Sequence, residues 1–289
     1  MPNMAPPPTD RGSVRTPDGL TLYTQHWLPE GEPAAVVLLV HGYAEHCGRY
    51  NHVAGAFVDQ GAAVYAYDHR GHGRSEGRRA YVDRFEQYLT DLDRFRRYVR
   101  AQTPDVPVFL FGHSMGGLAS LLYTLDYAPD LEGLLLSAPA IEVNPDLAPF
   151  LRHVAEWVGR FFPTLPTVRS PQGSISRDPA VVEDAENDPL NYTGRTLART
   201  GAELLRAGEA ARSRLYELRT PFMVFHGTAD PLATPAWSKR LYERAAAEDK
   251  TLRLYDGLYH ETFNEPERDA VLRDLGTWLA ERLPTDPTR

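Results

Sequence analysis

The chain has 289 residues, 42% of them hydrophobic, enough for one large α/β domain with an insertion or for two small domains. A formal net charge of -8 argues against a nucleic-acid partner, and no apolar run approaches the ~18 residues of a membrane span. The single cysteine, Cys47, excludes an intramolecular disulfide and a cysteine metal cluster, and is compatible with a reducing, cytoplasmic setting.

Residues 1–12 are proline-rich and lack the basic and apolar regions of a signal peptide, so a disordered tail is expected there. Ser13 to Leu28 alternates around Pro17-Asp18-Gly19, the pattern of a hairpin. Val36 to Val40 is wholly apolar, as a strand buried on both faces must be, and it runs into His41-Gly42-Tyr43. A helix is expected from about Arg49 to Gln60, a strand over Ala62–Tyr67, and a helix over Phe85–Thr103. Val106–Phe111 and Leu131–Leu136 read as further strands. From Pro145 to about Glu217 no clear strand is visible, and helical stretches alternate with Pro- and Asp-rich joints. The rhythm returns with the strand Phe222–Phe225, a helix over Thr234–Ala247, the strand Thr251–Tyr255 and a helix over Glu267–Arg282. Strands alternating with helices imply an α/β fold: a mostly parallel central sheet with helices on both faces. Its core would be 13–144 and 218–283, with an inserted helical cap over 145–217.

The chemistry centres on Gly112-His113-Ser114-Met115-Gly116, which follows four apolar residues and precedes an Ala- and Leu-rich segment. That order is strand, sharp turn and helix, and the small neighbours let a serine hydroxyl stand clear of a tight backbone. A serine needs a base, and the base needs a third group to fix its tautomer. His260 follows the last strand, in the late loop where the order serine, acid, histidine places the base. His41, His69, His72, His113 and His226 sit in glycine-rich turns or beside motif positions, where bonding to loop backbone is the simpler role. Asp230 follows its strand in His226-Gly227-Thr228-Ala229-Asp230 and is the candidate acid; Asp256, Glu261 and Glu265 lie too close in sequence to His260 to reach its far nitrogen easily. The oxyanion donors would be the backbone N–H groups of Tyr43 and Met115, each able to supply roughly 3 kcal/mol in the transition state. No cofactor is needed. A metallohydrolase built on His41, His46, His52, His69 and His72 is disfavoured, because their spacing matches no firm ligand pattern. A non-catalytic binding protein is disfavoured because all three triad types are present.

Four segments resemble the monoacylglycerol lipases of the α/β-hydrolase superfamily: Val40–Tyr50, Asp68–Gly77, Gly112–Gly117 and Asn187-Asp188-Pro189-Leu190. The similarity runs from about Ser13 to Leu283. It implies an α/β-hydrolase fold, a triad of Ser114, Asp230 and His260, and a place for Glu45 and Arg49 near the end that receives glycerol. The expected reaction is hydrolysis of monoacylglycerols through an acyl-enzyme. Lysophospholipase and broad esterase or thioesterase activity are the alternatives within the same chemistry. Tyr43 is bulky where family members carry small or other residues, and it would wall the substrate pocket.

Leu147, Phe150, Leu151, Val154, Ala155, Val158, Phe161, Phe162 and Leu165 form one apolar stripe at helical spacing. The plainer reading packs this helix on the body of the protein. The functional one gives part of it, Phe161 and Phe162 included, to an acyl-binding tunnel and part to transient contact with a lipid surface. Such contact would be hydrophobic, since the net charge gains nothing from anionic lipid.

Overall fold

The structure, a computed structural model, describes residues 7–143, 149–169 and 172–283. Its frame is an eight-stranded sheet in the order β1-β2-β4-β3-β5-β6-β9-β10. The strands are β1 (Asp10–Arg15), β2 (Thr21–Trp27), β3 (Ala35–Val40), β4 (Ala62–Tyr67), β5 (Val108–His113), β6 (Gly133–Ser137), β9 (Phe222–Gly227) and β10 (Lys250–Tyr255). β1 and β2 form the expected hairpin, with Gly19 in the left-handed region at φ 94°. β2 pairs antiparallel with β4, and every later pairing is parallel. Part of the tail expected over 1–12 lies outside the described residues. In the described part, Asp10–Gly12 already pair with His26–Thr24, so the sheet begins before Ser13.

The apolar runs work because each strand feeds two cores. Val36, Leu38 and Val40 of β3 join one cluster with Tyr88, Leu92 and Phe95 of α2 (Glu86–Arg100) and Leu118 and Leu121 of α3 (Met115–Tyr127). Val37 and Leu39 point the other way, to Val53 and Phe57 of α1 (Asn51–Val58) and to Val271, Leu275 and Trp278 of α8 (Arg268–Ala280). Each such side chain contributes roughly 1.5–3 kcal/mol by leaving water. α7 (Pro235–Arg244) closes the first face through Leu241.

Between β6 and β9 the chain leaves the sheet and forms α4 (Pro149–Phe161), β7 (Pro166–Arg169), α5 (Pro179–Asn187), β8 (Arg195–Leu197) and α6 (Ala198–Arg214). The expected start of this segment at Pro145 lies outside the described residues, as does Leu147. β7 and β8 pair as an antiparallel ribbon, which corrects the expectation of no strand here. Strands of four and three residues are too short to display alternation. α4 lies on α6, and Gly159 permits the approach: a Cβ there would sit 2.9 Å from the Ala202 methyl. The second half of the segment is tied to the body by polar bonds. His46 Nε2 meets Asp188 Oδ2 at 2.8 Å, Arg79 donates to the Leu190 carbonyl at 2.7 Å, and Arg177 pairs with Glu265 at 2.7 Å. The Asn-Asp-Pro-Leu motif is therefore a docking point between insertion and body.

Candidate active site

Ser114 sits between β5 and α3 with φ 51° and ψ -117°, a conformation that costs a non-glycine residue on the order of 1–3 kcal/mol. Three backbone bonds hold it there: Ser114 N–H to the Ser137 carbonyl at 2.9 Å, and the Leu118 and Ala140 N–H groups to its own carbonyl at 2.9 and 3.0 Å. The flanking glycines are required by closeness. A methyl on Gly112 would lie 2.5 Å from the Gly116 carbonyl oxygen, and one on Gly116 would run into the carbonyls of Val40 and His41. Met115 follows as the first residue of α3, among the helix N–H groups that lack an intrahelical acceptor.

Asp230 Oδ2 accepts from His260 Nδ1 at 2.6 Å, and both residues are buried. That bond leaves Nε2 as the accepting nitrogen of His260. Burial opposes the imidazolium, but the Asp230 carboxylate outweighs it and raises the His260 pKa above the ordinary 6.5. Burial would likewise raise Asp230, yet His260 and His226 together hold its carboxyl far below the usual range.

At the end of β3 the turn 41–45 is fixed from several sides. His41 Nδ1 donates to the Gly42 carbonyl at 2.7 Å, with its tautomer set by the His69 N–H donating to Nε2 at 2.9 Å. The Gly42 N–H donates to Glu45 Oε1 at 2.6 Å, and the Tyr50 hydroxyl donates to the same oxygen at 2.6 Å. Tyr43 follows at once, half-buried. Burial pushes the Tyr43 hydroxyl pKa well up. Arg49 bridges two carboxylates, Glu45 at 2.8 Å and Glu261 through two bonds of 2.8 Å each. Burial raises Glu45 above its ordinary pKa, whereas Arg49 overcomes burial at Glu261 and holds its carboxyl below the ordinary value.

Ser114, Met115, Tyr43, Glu45, Arg49, His113, His260 and Glu261 all line one cavity of about 510 Å³. Its apolar wall comes largely from the insertion: Val154 and Val158 of α4, Val168 of β7, and Leu204 and Leu205 of α6. Asp230 lies behind His260. Phe161 and Phe162 are not part of the lining and are 56% and 55% exposed, contrary to the sequence expectation. The stripe divides along α4. Its Val154–Val158 portion borders the cavity, while Phe161 stacks on exposed Trp157 with centroids 4.8 Å apart.

His226 does not serve loop backbone alone, as expected. Its Nε2 lies 2.8 Å from Asp230 Oδ2 and its Nδ1 2.7 Å from Ser238 Oγ. Glu261, a rival acid in the sequence, is the partner of Arg49. The only hint of His226's role was its place at the end of a strand, four residues before the acid.

A family model described as serine aminopeptidase, S33, matches residues 31–267. The monoacylglycerol lipase of Mycolicibacterium smegmatis is 38% identical over 92% of this chain and 95% of its own length. The caffeoylshikimate esterase of Arabidopsis thaliana is 36% identical, over 93% of this chain and 84% of its own. The crystal structure of a Paleococcus ferrophilus monoacylglycerol lipase superposes with a TM-score of 0.81 at 30% identity, covering 90% of this chain and 99% of that one. A mostly parallel sheet with a serine on a strained strand-to-helix turn, matched to such relatives along nearly their whole length, makes the chain a member of the S33 serine-hydrolase family of α/β-hydrolases, on its monoacylglycerol lipase-like side.

Proposed function

We propose that the protein is a serine ester hydrolase that splits monoacylglycerols into fatty acid and glycerol, with Ser114, His260 and Asp230 as its triad. The observation that carries this reading is the 2.6 Å bond from His260 to Asp230, with His260 and Ser114 facing one largely apolar cavity. Ser114 Oγ attacks the ester carbonyl while its proton passes to His260 Nε2, and Asp230 stabilises the imidazolium. The N–H groups of Tyr43 and Met115 receive the developing oxyanion. As the tetrahedral intermediate collapses, His260 returns the proton to the glycerol oxygen and an acyl-enzyme remains. Water, deprotonated by His260, then attacks the acyl carbonyl, and the fatty acid leaves as Ser114 regains its proton. No cofactor enters this sequence.

Glu45 and Arg49 would face the glycerol hydroxyls, and the walls from α4, β7 and α6 would hold the acyl chain. Residues 145–217 act as the cap in this reading. The exposed Trp157, Phe161, Phe162 and Leu165 suit transient contact with a lipid surface by a protein of the cytoplasm. Among the described residues no helix is long and apolar enough to cross a membrane. The similarity to a caffeoylshikimate esterase supports a second reading, a broader ester hydrolase. A panel of monoacylglycerols, lysophosphatidylcholine, acyl thioesters and short p-nitrophenyl esters, with Ser114→Ala as blank, separates the two. Higher kcat/KM on monoacylglycerols supports the proposal, and a preference for any other class overturns its substrate.

A further inference from the structure

Asp230 carries a second imidazole. Its Oδ1 accepts from the N–H groups of Leu232 at 2.7 Å and Ala233 at 3.1 Å. Its Oδ2 accepts from His260 Nδ1 at 2.6 Å and lies 2.8 Å from His226 Nε2. His226 is fully buried as the next-to-last residue of strand β9. Its Nε2 faces acceptors, Asp230 Oδ2 and the Ala233 carbonyl at 3.1 Å, and therefore bears a hydrogen. Its Nδ1 faces the hydroxyl of Ser238 on α7 at 2.7 Å, which can donate. The hydrogen bonds thus run from Ser238 to His226 to Asp230, and meet His260 on the same oxygen.

We propose that His226 is a positioning residue for the hydrolysis. It locks the plane of the Asp230 carboxylate and shares the oxygen that His260 uses, which restrains the basicity of His260. The inference rests on the triad assignment above. An oxygen that accepts two hydrogen bonds offers each donor less electron density than an oxygen that accepts one. With His226 present, Asp230 orients His260 firmly but binds its imidazolium less tightly. Without it, the carboxylate loses one of its fixed donors and gives its full density to His260. The other groups around His260 are Glu45, Arg49, Glu261 and His113, the last with ring centroids 4.7 Å away. On β10 the register neighbour of His226 is Leu254, which does not titrate. Substitution at 226 leaves all of these in place, so a moved pH profile reports on the carboxylate.

The test compares His226→Phe, His226→Gln and Ser238→Ala with the parent enzyme on one monoacylglycerol, active sites being counted by fluorophosphonate titration. His226→Phe is expected to lower kcat on the order of 10-fold, with KM held within about twofold. It should also move the acid limb of kcat/KM upward by about half a pH unit or more. His226→Gln, whose amide N–H reaches the same oxygen, is expected to recover most of kcat and the parent limb. Ser238→Ala, which frees the far side of the ring, should shift both in the same direction by less. Parent kcat with an unmoved limb in His226→Phe overturns the proposal, and so does His226→Gln behaving like His226→Phe. Where His226→Phe does not fold, an unchanged Ser238→Ala profile overturns it. Turnover that survives Ser114→Ala would overturn the triad reading instead, so the two failures are distinguishable.

Discussion

The backbone of Ser114 stands at φ 51° although serine has a Cβ, and the strain is held by bonds to Ser137, Leu118 and Ala140. Ser114→Gly releases that strain but loosens the unfolded chain, at roughly 0.5–1 kcal/mol. Ser114→Ala keeps the strain. The glycine variant should therefore be more stable than the alanine variant by about 1 kcal/mol in urea unfolding, and both should be inactive; equal stabilities would remove the strain argument. The His260 pKa, raised above 6.5, has two consequences of opposite sign. On the proposed mechanism His260 must be neutral, so kcat/KM should fall as pH drops through a midpoint above 6.5, and a midpoint at or below that value counts against His260 as the base. The stabilisation from the imidazolium and Asp230 is complete below the unfolded-state pKa and is lost as pH rises through the folded value. Melting temperature should thus decline in the range where activity climbs. The places of Ser114, Asp230 and His260 after β5, β9 and β10 were legible because each follows a strand that its own residues announce. His226 was not, because its partner is chosen by the fold of the turn 227–233 and not by any pattern in the chain.

The insertion is the element where sequence and structure differ most. Pro166–Arg169 is four residues long and begins with proline, so pairing with Arg195–Leu197 depends on α5 and the polar ties at Asp188 and Leu190 bringing the strands together. Periodicity located α4 but not the division of its apolar side chains. Val154 and Val158 border the cavity, Gly159 packs on Ala202 of α6, and Trp157, Phe161 and Phe162 are exposed. An exposed aromatic cluster without a protein partner among the described residues is unfavourable in water and suits a lipid surface. Phe161→Asp with Phe162→Asp should reduce flotation with neutral phosphatidylcholine liposomes while leaving turnover of a soluble short-chain ester within about twofold. Unchanged flotation would end the lipid-contact idea. Because both side chains lie outside the cavity lining, a large loss on the soluble ester would also contradict the structure.

At the scale of the whole molecule, strands such as Val36–Val40, Val106–Phe111 and Leu131–Leu136 alternating with helices announce a mostly parallel sheet. Covered on both faces, the sheet buries alternate side chains in two separate cores, as Val37 and Leu38 do. The loops that follow the parallel strands, β10 included, open on one rim, which is why residues as far apart as Tyr43, Ser114 and His260 line one cavity. Cys47 is fully buried and its thiol pKa is pushed well up by burial and by Asp68, so the sole cysteine stands apart from the chemistry. In the proposed function Ser114 is the nucleophile of a monoacylglycerol hydrolase. Stepwise labelling with a fluorophosphonate tests it most directly, with the adduct located by peptide mass spectrometry and monoacylglycerol turnover followed alongside. One adduct per chain is expected, on the peptide bearing Ser114, with turnover lost in proportion to labelling; turnover that persists in the fully labelled enzyme, or an adduct at another residue, would contradict it.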